Sequence, residues 1–210
     1  MEREPQLNPL ENFFEKLSRG EFLEMTKEER ERFYAGMSQE DIIRYYQTVN
    51  SLGDDDRERI LAKWIPKPKI LYHASHNGDI KVFEPREKAK RQASDPPLVF
   101  SSPVEAVSSM FLLEHSNSDI SGSYDGGKTW VLATESLDDL RRRNRSGFIY
   151  SLPPDNFKND SHVGLGLYEW ASETAVSPSG KEKIDSALEK MFQLGVKIYV
   201  PSQDISMNDF

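Results

Sequence analysis

The stretch Pro66-Lys67-Pro68-Lys69-Ile70-Leu71-Tyr72-His73-Ala74-Ser75-His76 is where the chain changes character. Each proline lacks a backbone donor and holds φ near the helical value while clashing with the preceding turn, so helix ends at Pro66 and Pro68. Apolar runs after Lys69 are short and bounded by Gly, Pro, Ser and Asp, the punctuation of strands. Upstream, apolar residues recur at helical spacing, as in Phe13, Phe14, Leu17 and then Phe22 and Leu23. A helical region therefore precedes a mixed one, with expected boundaries of 1–66, 67–201 and a polar, frayed tail over 202–210.

Within the helical region, Thr26 with Glu29 and Ser38 with Asp41 have capping-box spacing, which predicts helix starts near 27 and 39. A shorter helix is expected over about 54–64. Residues 1–64 carry 15 acidic against 10 basic side chains, and their Phe and Tyr residues are read as core. Tyr45 and Tyr46 have a second reading, as a partner-binding face, and the acidic helices as a whole a reading as an assembly surface.

Downstream, strands are expected at Ile70–Ala74, Leu98–Ser101, Trp130–Thr134, Phe148–Leu152, Tyr168–Ser172 and Val196–Val200. Ser102-Pro103-Val104-Glu105 reads as a cap, a first-turn proline and a reaching-back carboxylate. Leu137–Leu140 reads as a helix ending in Arg141–Arg143, and Gly180–Leu194 as another, stopped by Gly195. Strands outnumber the helices between them, so a doubly wound sheet fits poorly. The expected class is α+β with largely antiparallel strands.

Composition excludes several chemistries. The 210 residues include no cysteine, which removes disulfides, thiolate metal sites and cysteine nucleophiles. A charge of −8 and a pI near 5.1 disfavour a protein that coats nucleic acid, although local basic patches remain. No run approaches the ~20 apolar residues of a membrane span, and Met-Glu-Arg-Glu-Pro lacks signal-peptide order, so a cytoplasmic protein without membrane contact is expected. No Gly-x-x-x-x-Gly-Lys-Ser/Thr, Gly-x-Gly-x-x-Gly or Gly-x-Ser-x-Gly occurs, and Gly164-Leu165-Gly166 reads as a turn. His73 and His76 would face opposite sides of a strand, so no metal site is expected.

Two positions stand out. Glu169, in Tyr168-Glu169-Trp170, places a carboxylate on an apolar strand, where it either points to solvent or has a partner or task. His73 is either a satisfied structural residue or a ligand-facing one. Basic groups gather at Arg86, Lys88, Lys90 and Arg91 and again at Arg141, Arg142, Arg143 and Arg145; both read as solvated ends or as phosphate contacts.

The order Leu71-Tyr72-His73-Ala74-Ser75, then Leu98-Val99-Phe100-Ser101-Ser102-Pro103 with a helix carrying Ala106, Ser108, Ser109 and Phe111, then Tyr168-Glu169-Trp170, resembles the ADP-ribosyltransferase fold of the poly(ADP-ribose) polymerase and diphtheria-toxin type. The resemblance spans roughly 69–200. It implies a mainly antiparallel split β-sheet and NAD as substrate, with no metal and with a protein or nucleic-acid acceptor. By that likeness His73 would hydrogen-bond the NAD riboses, Ala74 would offer backbone groups to the carboxamide, and Ser75 matches the small hydroxyl residue that follows. Ser108 or Ser109 would add a hydroxyl, Phe111 would stack on nicotinamide, and Glu169 would hold the nicotinamide ribose as the catalytic carboxylate. Ala74 stands where the family has glycine and Val99 where its tyrosine is expected. The same residues therefore also read as a catalytically inactive nucleotide- or protein-binding module.

Overall fold

The structure is a computed structural model and describes residues 8–22, 24–87, 96–114, 116, 119–162 and 164–200. The 202–210 tail and Lys88, Lys90 and Arg91 lie outside the described residues. The chain forms two compact units, Met1–Lys67 and Pro68–Phe210.

Among the described residues, the first unit holds four helices, α1 (Pro9–Ser18), α2 (Lys27–Gly36), α3 (Gln39–Asn50) and α4 (Asp54–Leu61). Both expected capping boxes form: Thr26 and Glu29 satisfy each other's backbone N–H groups at the start of α2, and Ser38 and Asp41 do so at α3. Apolar faces of α1 and α3 meet in a core of Phe13, Phe14, Leu17, Ile42, Tyr45 and Val49, closed by Ile60. Tyr45 and Tyr46 are fully buried, donating to the carbonyls of Trp64 and Pro66, so they are core and not a partner-binding face. Those two bonds fix the extended segment that follows α4.

The second unit is α+β. Among the described residues it has three small sheets, with strand orders β1-β5-β8, β2-β7-β6 and β3-β4-β9. The strands are β1 (Leu71–Ser75), β2 (Val99–Ser101), β3 (Ile120–Gly122), β4 (Val131–Ala133), β5 (Gly147–Leu152), β6 (Lys158–Asn159), β7 (Trp170–Ser172), β8 (Gly180–Ile184) and β9 (Lys197–Tyr199). Among the described strands, β4 pairs with β9 in parallel and the other pairings are antiparallel. Helices α5 (Glu105–Met110), α6 (Leu137–Arg143) and α7 (Ala187–Gln193) complete it, and α5 packs on β1 and α7. Tyr72 and Ser102 exchange both backbone hydrogen bonds, joining β1 to the end of β2.

Three expectations are corrected. Gly180–Leu194 is not one helix: Gly180–Ile184 is strand β8, paired along β5 from Gly147 to Ser151, and only Ala187–Gln193 is helical, capped by Ser186. The helix expected at Ser102 starts at Glu105, because the two bonds to Tyr72 hold Ser102 extended. Tyr168 belongs to a 3-10 turn, Gly166–Tyr168, and β7 begins only at Trp170.

The arginine run also has a specific structural use. Arg141, Arg142 and Arg145 pair with Asp138, Asp139 and Glu114 on the surface. Arg143 is 8% exposed, and its guanidinium bonds Asp119 twice, at 2.6 and 3.0 Å, besides Asp139, the Glu114 carbonyl and Thr134 Oγ1. A solvated helix end therefore describes its neighbours and not Arg143, which ties the segment before β3 to α6.

Candidate functional site

A cleft of about 250 Å³ opens where β1, β2, α5 and the turn before β7 meet. Five expected residues line it together: His73, Ala74, Ser108, Phe111 and Glu169. They arrive from three separate stretches of chain. The wall is mainly apolar with a few polar groups, the composition of a small-molecule site. Among the described residues there is no group of three or more His, Asp or Glu side chains placed to hold a metal ion.

His73 is held on β1, where its Nδ1 donates to the Phe100 carbonyl at 2.6 Å and its ring packs 4.6 Å from that of Phe83. A carbonyl only accepts, so the proton sits on Nδ1 and Nε2 keeps a lone pair for a donor such as a sugar hydroxyl. Burial pushes the His73 pKa below 6.5, opposed by the Phe100 carbonyl and assisted by Arg86. The ring is therefore neutral at pH 7. Acidification protonates the unfolded histidine first, so stability is flat above about pH 6.5, falls below it, and levels off under the depressed folded value. Thermal melts between about pH 5 and 8 should show this decline, and His73→Gln should flatten it.

Glu169 follows the turn that its own neighbours build. Gly164 and Gly166 have φ of +60° and +58°, and Asn159 Nδ2 donates to the carbonyls of Gly166 and Glu169, both at 2.8 Å. A Cβ on Gly164 would stand 2.5 Å from Glu169 Oε1, so only glycine lets the carboxylate lie where it does. Gly164→Ala is expected to displace that carboxylate and to cost about 1–2 kcal/mol from the left-handed backbone alone, read as a lower melting temperature.

Ser108 is buried, and its hydroxyl donates to the Tyr72 carbonyl at 2.8 Å, joining α5 to β1 beneath the cleft. Phe111 is 69% exposed at the rim of the cleft. The two other expected residues are placed elsewhere. Ser109 is fully buried with its hydroxyl donating to Ala106 O, and Ser75 accepts from Asn77 N in the turn after β1; neither lines the cleft. One step along a helix or strand turns a side chain to another face, so Ser108 lines the cleft and Ser109 does not. His76 engages the Ser146 carbonyl at 3.0 Å, away from the carbonyl that His73 uses.

The structure adds Tyr72, Phe100, Leu165 and Tyr168 to the wall. Tyr168 is buried, donates to Gly126 O at 2.5 Å and meets the Trp130 ring edge-on at 5.1 Å. Its place beside Glu169 is the signal the sequence carries, and the 3-10 turn over Gly166–Tyr168, where a strand is expected, is what turns it to the cleft wall. Arg86 bridges to Leu98, is exposed, and lies near enough to act on His73 electrostatically.

No protein-family model matches this chain, and comparisons with curated proteins and with solved structures find no match. No helix among the described residues is long and apolar enough to cross a membrane.

Proposed function

We propose that the second unit is an ADP-ribosyltransferase-like domain whose cleft binds NAD and transfers ADP-ribose to an acceptor or to water. The observation that supports this reading is the convergence of His73, Phe111 and Glu169, each named from short motifs far apart in sequence, in one cleft. The cleft suits one aromatic ring and its sugar, the nicotinamide riboside half of the dinucleotide.

The chemistry assigns each residue a task. The bond between ribose C1′ and the nicotinamide nitrogen breaks with its electron pair going to the ring, which loses its positive charge. Charge then develops on the sugar as in glycoside hydrolysis, and a carboxylate beside it is stabilising. Glu169 is that carboxylate. A lone pair of the acceptor, or of water, closes on C1′, and the acceptor proton leaves to solvent. His73 accepts from a ribose hydroxyl through Nε2 without titrating, and Phe111 covers the nicotinamide face.

A second reading is a binding module of the same fold, and Val99 and Ala74 favour it. Calorimetry with NAD combined with an assay of released nicotinamide separates the two. Binding with Glu169-dependent release supports the enzyme; binding without release supports the module; no binding removes both NAD readings.

A further inference from the structure

A second cavity, of about 370 Å³, lies wholly within the first unit and has a different chemistry from the cleft. One wall is a stripe of α2 made by Lys27, Arg30, Glu31 and Tyr34, which the spacing i, i+3, i+4, i+7 places on one helix face. The other wall is the extended segment after α4, with Trp64, Ile65 and Lys67. Helix α2 contains no fully buried residue, and its contact with the core is made by Phe33, whose ring lies 4.8 Å from that of Phe13.

The groove carries three cations and one carboxylate in a region whose acidic side chains outnumber basic ones 15 to 10 over residues 1–64. Glu31 lies 3.9 Å from Lys27, Arg30 donates to the Met25 carbonyl at 3.2 Å, and Glu24, nearby, pairs with Lys63. Three of the four charged side chains that line the groove are cations, and Arg30 also faces the Glu24 carboxylate. Trp64 is fixed from behind by the rings of Phe13, Phe22 and Tyr45, at 6.4, 6.5 and 5.4 Å, so its place costs no ordering when a ligand arrives.

We infer that this groove is a docking site for a short length of single-stranded nucleic acid, bases against Trp64 and Tyr34 and phosphates at Lys27, Arg30 and Lys67. Flat aromatic faces interleaved with cations are what a flexible polyanion carrying π-faces requires. An acidic peptide would use the cations and leave the two aromatic faces without a role. The site is independent of the cleft, so it stands whether or not the cleft takes NAD.

The test is fluorescence anisotropy of the full chain with a labelled oligothymidylate of about ten nucleotides, at salt from about 50 to 200 mM. With three phosphates neutralised, log affinity should fall against log salt with a slope of about −2. Changing Lys27, Arg30 and Lys67 together to Gln should abolish that slope and weaken binding at least tenfold, and Tyr34→Ala should weaken it about tenfold while Tyr34→Phe retains it. Circular dichroism confirms that each variant keeps its helices. Lys181→Gln, in the other unit, should change nothing. Absence of binding at the lowest salt, binding unmoved by the triple variant, or displacement by a labelled-free polyglutamate as effective as by oligothymidylate would each overturn the inference.

Discussion

Glu169→Gln is expected to slow nicotinamide release from NAD by about 10²–10³-fold while leaving NAD affinity within a few-fold, because the amide keeps the shape and loses the charge that matters in the transition state. The effect belongs in kcat. The carboxylate sits over Gly164 in a turn held by Asn159 Nδ2, so glutamine can occupy the same space without moving the backbone. A fall in kcat with unchanged KM is the signature of an interaction made only as charge develops on the sugar. A variant as active as the parent would mean that Glu169 shapes the turn and does no chemistry.

Arg143→Ala should destabilise the second unit by about 1–3 kcal/mol, since it leaves a half-buried carboxylate without its guanidinium partner. Asp119 has a side chain only 14% exposed and takes both of its close bonds from Arg143. The same truncation frees the Glu114 carbonyl and Thr134 Oγ1. Lysine cannot reproduce the fork, so Arg143→Lys should recover only part of the loss. Arg142→Ala is the control: its pair with Asp139 is exposed, and its removal should cost less than about 1 kcal/mol. Chemical denaturation of the three variants reads all of this directly.

The helical unit was legible because its signals are local. A capping box needs four consecutive residues, and the structure places both boxes where Thr26 and Ser38 put them. The buried Tyr45 and Tyr46 follow from helical spacing as well, but their bonds to Trp64 and Pro66 depend on chain that returns from 19 and 20 residues away. Strand β8 illustrates the opposite case. Gly180-Lys181-Glu182-Lys183 is exposed and alternates charge without apolar periodicity, so only the hydrogen bonds offered by the edge of β5 make it a strand.

The site was legible residue by residue and not as a shape. His73, Ser108, Phe111 and Glu169 were each visible in short motifs, yet their meeting depends on the Tyr72–Ser102 exchange and on β2 pairing with β7. Those are long-range contacts, which spacing does not report. Facing direction puts Ser108 in the cleft wall and leaves Ser75 and Ser109 outside it, and the turn at Gly164–Tyr168 rests on left-handed glycines whose partner, Asn159, lies on β6.

Calorimetric titration of the full chain with NAD, repeated with Phe111→Ala, asks whether the cleft takes the dinucleotide. Phe111 stands exposed at the rim and holds up no part of the core, so its loss should leave the fold intact. NAD should fill one saturable site in the parent, be displaced by nicotinamide, and bind the variant about tenfold more weakly. A parent that takes up no NAD at millimolar concentration, or a variant that binds it as tightly as the parent, would contradict the proposal.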